Sequence, residues 1–219
     1  MLLHGLGTGP GAWQRQVEAF SASRPVLAPH LRLGPAFRIE AEADALWRSL
    51  DARDEVDLCG LSLGALVALR AALDWPSRVH RLVLCAGFAR LPRSLRLLQA
   101  TLGAAATVLP ERTLRELLLA AVPESARSLA RCETAGLDRR TIRAVFRAGR
   151  RFDSVRELNR LTMPVLLLVG ERDRPNLSLS RALGRRLSSA ELQVIAGAGH
   201  VANLDAPESF NRALARFLD

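Results

Sequence analysis

The chain of 219 residues carries 31 basic and 22 acidic side chains, for a formal net charge of +9. Every base is arginine, which excludes chemistry that needs a lysine amine, such as Schiff bases, pyridoxal linkage and the lysine of phosphate-binding loops. No apolar run approaches the roughly 20 residues of a membrane span, and no signal peptide with a basic start precedes the first motif. Three cysteines without metal spacing make no disulfide framework, and four scattered histidines offer no zinc cluster. The expectation is one domain with a sizeable core in a reduced, cytoplasmic setting, with neither metal nor cofactor.

Taken in order, the chain alternates between strand-like and helix-like patterns. Residues 1–3 read as the stub of a strand, followed by the glycine-rich run from His4 to Trp13. A helix is expected over 12–23, a short strand over 26–28 and an amphipathic helix over 39–53. Residues 56–59 resemble a buried strand, and residues 65–73, dense in good helix formers, a helix. Another strand is expected over 81–85. Residues 88–160 then read as several short helices, punctuated by Pro110, Pro123 and Gly136. The alternation resumes with a strand at 165–170, a helix near 178–187, a strand at 191–195 and a last helix from Pro207. Such a pattern predicts an α/β fold, a mostly parallel sheet with helices on both faces and its site at the carboxyl ends of the strands.

Between the strand at 56–59 and its helix stands Gly60-Leu61-Ser62-Leu63-Gly64. A serine on a tight strand-to-helix turn projects its hydroxyl into solvent, and the flanking glycines avoid clashes with strand and helix. The following helix points its positive end where negative charge would develop in acyl transfer. A serine hydroxyl needs a base to accept its proton, and His200, after Gly197-Ala198-Gly199, is the best candidate. A carboxylate must then orient the imidazole. Glu171 and Asp173 both follow the strand at 165–170, whereas the loop after the strand at 81–85 carries no acid.

These motifs, in this order, resemble the α/β-hydrolase superfamily over nearly the whole length of the chain. The resemblance implies that Ser62 is the nucleophile, His200 the general base and Asp173, rather than Glu171, the orienting acid. It also implies an oxyanion hole built from the backbone amides of Leu6 and Leu63. His4 is expected to be structural, and Trp13 and Phe88 to contribute to substrate binding. Members of this superfamily usually have two strands before the His-Gly loop. This chain has none, so either an edge hairpin is missing or the chain begins downstream of its natural start. In both cases the edge near Val26 should be exposed.

Residues 1–87 and 161–219 are thus expected to form the hydrolase core, and residues 88–160 an inserted helical cap. The cap segment holds 15 arginines and seven acids, against 16 and 15 in the remainder, so nearly all the net charge lies there. Arginine-favouring codons and a solvated face would explain this. Attraction of an anionic or carrier-bound acyl substrate would explain it too. Nucleic-acid binding is not expected, since no binding motif or stacking aromatic run accompanies the arginines. The function expected is hydrolysis of a carboxylic ester, thioester or lactone through an acyl-enzyme. The alternative is a non-hydrolytic use of the fold, as a lyase or as a binding protein with a vestigial triad. Neither the substrate nor the oligomeric state can be read from the sequence.

Overall fold

The apolar run Val165–Gly170 forms strand β4, and all six residues are buried. A strand without polar alternation must be covered on both faces, which places it inside the sheet. In the computed structural model, which describes residues 1–51 and 55–219, β4 lies between β3 (Val79–Cys85) and β5 (Ala190–Ile195). Strand β2 (Val56–Leu61) pairs with β3, and the two-residue β1 (Leu2–Leu3) closes the sheet on its far side. The order is β1-β2-β3-β4-β5, and all four pairings are parallel.

The two faces of the sheet separate by the period of two. Leu58, Leu82, Leu84, Val165 and Leu167 face one core cluster, which includes α2 (Ile39–Arg48) and α3 (Leu63–Asp74). Cys59, Leu61, Val83, Cys85, Leu166 and Leu168 face the other, built with α1 (Gln14–Phe20) and the carboxyl-terminal helix. Residues Leu63 to Leu73 of α3 are all buried, as expected for a helix wedged between a sheet and a second helix.

Four α-helices fall between β3 and β4: α4 (Arg93–Val108), α5 (Glu111–Leu119), α6 (Glu124–Thr134) and α7 (Arg139–Arg151). Pro110 and Pro123 stand immediately before α5 and α6, where a missing amide is tolerated. Asp138 caps α7 by accepting a hydrogen bond from the Thr141 amide. Helix α8 (Arg174–Gly184) connects β4 to β5, and α9 (Ala202–Asp205) and α10 (Pro207–Leu218) end the chain.

Three expectations need correction. The strand expected at 26–28 does not form; Leu27 only accepts one hydrogen bond from the Leu2 amide and is 54% exposed. Pro25 and Pro29 flank it and cannot donate to a ladder. The helix expected over 12–23 starts as a 3-10 turn, Pro10–Trp13, and ends at Phe20. The helix expected over 39–53 ends at Arg48, and the end expected at Arg53 lies outside the described residues.

Candidate active site

Ser62 follows the carboxyl end of β2 and precedes α3 with φ 53° and ψ −111°, a left-handed region that disfavours a side chain. Ser is a preferred helix cap, yet this hydroxyl makes no capping bond to α3. It points instead at His200, whose Nε2 lies 3.0 Å from Ser62 Oγ. The turn is tight because its flanks come so close. A Cβ on Gly60 would lie 2.3 Å from Gly64 O, and one on Gly64 would lie 2.2 Å from Leu3 O.

The loop after β5 delivers His200, and the loop after β4 delivers Asp173. His200 Nδ1 donates to Asp173 Oδ2 at 2.6 Å, which fixes the tautomer and leaves Nε2 free to accept. Asp173 is buried, and Asn176 in the first turn of α8 donates to both of its oxygens, at 3.0 and 2.9 Å. Burial pushes the Asp173 carboxyl up, but the bond and charge of His200, together with the Asn176 donors, outweigh it. The net position is below the ordinary carboxylate value. Glu171 is used differently: its Oε2 accepts the Gly197 amide at 2.9 Å and so braces the His200 loop. Asn176 escaped the sequence reading. An amide three residues after a candidate acid, at a helix start, was the available signal.

The His-Gly loop lies beside the serine, since a Cβ on Gly5 would stand 3.4 Å from Ser62 Cβ. Leu6 is half-buried in this loop, and Leu63 opens α3, where its amide has no intrahelical acceptor. His4 is buried, with Nδ1 donating to Gly5 O at 2.9 Å and Nε2 accepting the Leu31 amide at 3.0 Å. Both ring nitrogens are occupied, and burial holds its pKa below the ordinary histidine value, so it is a structural residue.

Trp13 and Phe88 are both buried. Trp13 is fully buried and its ring packs 5.9 Å from that of Phe210, in the cluster between the sheet and α10. Trp13 thus anchors the start of α1 in the core. Phe88 is also buried and meets Phe152 edge-on at 6.4 Å, where the chain leaves β3 and returns after α7. Cys59 and Cys85 are buried and unpaired, and burial pushes the Cys59 thiol up to about 12. Among the described residues no cluster of His, Cys, Asp and Glu could hold a metal, and no helix is long and apolar enough to cross a membrane. On α7, Arg140, Arg143, Arg147 and Arg151 are exposed and recur at helical spacing along one side.

A serine on a strand-to-helix elbow, facing a histidine and a carboxylate from two later strand ends of a parallel sheet, defines the α/β-hydrolase class. The profile of the alpha/beta hydrolase family matches residues 1–213, and the chain belongs to that family. It is an enzyme of the α/β-hydrolase type. A Neisseria meningitidis protein of serogroup A, named pimeloyl-acyl-carrier-protein methyl ester esterase, is 30% identical over all of this chain and 76% of its own length. Among solved structures, a hydrolase from Pseudomonas aeruginosa superposes with a TM-score of 0.85 at 24% identity, covering 99% of this chain and 89% of its own. A thermophilic esterase from Thermogutta terrifontis gives 0.83 at 24% identity, with 99% and 88% covered. At those identities the two structures speak for the fold alone.

Proposed function

We propose that the protein is a serine hydrolase that cleaves a carboxylic ester through an acyl-enzyme on Ser62. One observation carries this reading: a single imidazole lies 3.0 Å from a serine hydroxyl and 2.6 Å from a buried carboxylate. His200 Nε2 takes the hydroxyl proton as Ser62 Oγ attacks the carbonyl, and Asp173 stabilises the imidazolium. The amides of Leu6 and Leu63 receive the developing oxyanion, at a worth of roughly 3 kcal/mol per donor. Collapse expels the alcohol with the proton returned by His200. Water activated by the same base then releases the acid. A fluorophosphonate probe tests the reading directly, and wild-type protein that stays unlabelled at Ser62 would refute it.

In this reading residues 88–160 form a cap that selects the substrate. The exposed arginines of α7 and the name of the Neisseria relative together favour an acyl ester carried on an acidic protein. For such a substrate kcat/KM should fall steeply with salt, while small neutral esters are turned over with little change. Equal salt dependence for the two would remove the carrier from the proposal.

A further inference from the structure

We propose that Glu133, on α6 of the cap, is a positioning residue that holds the His-Gly loop with the Leu6 amide aimed at the oxyanion. The assignment rests on the acyl-enzyme reading above. The Gly9 amide donates to Glu133 Oε2 at 2.8 Å and the Gly11 amide to Oε1 at 2.6 Å, so both carboxylate oxygens are engaged by one loop. These amides open the 3-10 turn Pro10–Trp13, whose cap residue, Gly9, has no side chain to satisfy them. An acceptor that lies 124 residues from Gly9 in sequence takes that place, and its negative charge suits the start of a helical turn.

The glycines at these positions have a steric reason. Gly9 has φ −137° and ψ −164°, an extended conformation open to any residue. A Cβ there would nevertheless lie 2.6 Å from Glu133 Cδ, and one on Gly11 would lie 2.7 Å from Oε1. Glycine leaves room for the carboxylate beside the two amides, and a side chain at either position would push it away. Helix α5 makes a second contact with the loop, with Leu118 Cβ 3.3 Å from the place of a Cβ on Gly7.

Leu6 is therefore held from both sides. Upstream, His4 is fixed by its bonds to Gly5 O and the Leu31 amide; downstream, Gly9 and Gly11 are fixed by Glu133. An oxyanion donor acts only where the charge develops, and a displacement of 1 Å can cost about 100-fold in rate. The carboxylate thus ties the cap to the oxyanion loop.

The test is a double-mutant cycle of Gly9→Ala and Glu133→Ala on a p-nitrophenyl ester with a short acyl chain, which touches little of the cap. Rates are expressed per site titrated with fluorophosphonate, so misfolded protein is not counted. Glu133→Ala should lower kcat about 10- to 100-fold with KM within about twofold, the pattern of a lost transition-state interaction. Glu133→Gln, which keeps one acceptor oxygen, should fall between. Gly9→Ala should lower kcat in the parent and add little in the Glu133→Ala background, where the close approach to Cδ and Oε1 has gone and only the contact with Cβ, at 3.0 Å, remains. Hydrogen exchange at residues 5–11 should rise in Glu133→Ala. If that variant folds poorly, Glu133→Gln and Gly9→Ala give the same readouts. A parental kcat per titrated site in Glu133→Ala, or strictly additive losses in the cycle, overturns the assignment alone. A wild-type protein that neither labels nor turns over ester overturns the acyl-enzyme reading and this assignment together.

Discussion

His200 Nε2 stands 3.0 Å from Ser62 Oγ, across 138 residues of chain. The serine gives up the usual role of a helix-capping hydroxyl to make this contact, and it does so from a backbone conformation with φ 53°. The elbow therefore holds conformational strain in the backbone of Ser62, as functional sites often do.

Replacing this serine separates chemistry from strain. Ser62→Ala and Ser62→Gly should both abolish fluorophosphonate labelling and lower kcat by about 10⁴-fold or more. Ser62→Gly should also be more stable than Ser62→Ala by about 1–2 kcal/mol, because only glycine is at ease in that conformation. Urea unfolding of the two variants measures the difference. Equal midpoints would mean that the elbow carries no strain.

The Asn176 donors should be worth more than their small side chain suggests. Asp173 sits below its ordinary value of 3.8 in the fold, so it contributes stability above that value and loses it as pH falls through the folded one. Asn176→Ala removes donors at 3.0 and 2.9 Å and moves the folded value upward. Acid unfolding followed by circular dichroism should begin at higher pH in the variant. Neutral stability should drop by about 1.5–3 kcal/mol, as for a hydrogen bond to a charged group. An unchanged acid transition would show that His200 alone holds the carboxylate.

His4 gives the opposite kind of group. Its folded pKa lies below the ordinary 6.5, with burial as the main cause, so the unfolded chain binds the proton first. Stability should then be full above pH 6.5 and fall as pH drops below it, levelling once the folded imidazole also protonates. The slope from one such group cannot exceed about 1.4 kcal/mol per pH unit. Melting temperatures of the parent and His4→Gln over this range give the comparison. A variant as pH-sensitive as the parent would assign the effect elsewhere.

Gly64 should tolerate no side chain. A Cβ there meets Leu3 O at 2.2 Å and His4 O at 2.7 Å, both backbone atoms that cannot turn aside. Gly64→Ala should therefore cost about 3 kcal/mol and push β1 away from α3, with loss of labelling at Ser62. Retention of parental stability would contradict the close packing of β1 on the elbow.

Much of this was legible in the chain, for reasons tied to particular residues. Val165–Gly170 was readable because an unbroken apolar run has few places to go but the middle of a sheet. Pro110 and Pro123 marked helix starts because proline tolerates little else in a helix. The failures were at the edge. Val26 and Leu27 have strand-like side chains, but strand formation needs a partner ladder, and Pro25 and Pro29 withhold their amides. Trp13 meets its core neighbour Phe210 across nearly 200 residues, and no local pattern announces that contact.

By itself the sequence determined the alternation of strands and helices, the serine elbow and the order of serine, acid and histidine. These follow from local propensity, turn chemistry and short-range spacing, which a linear reading can reach. Only the tertiary structure set Glu171 against the Gly197 amide, brought Asn176 to the acid and placed Glu133 against Gly9 and Gly11. Each of those depends on two or more loops meeting at the ends of strands, and distance between such loops is fixed by packing rather than by position in the chain.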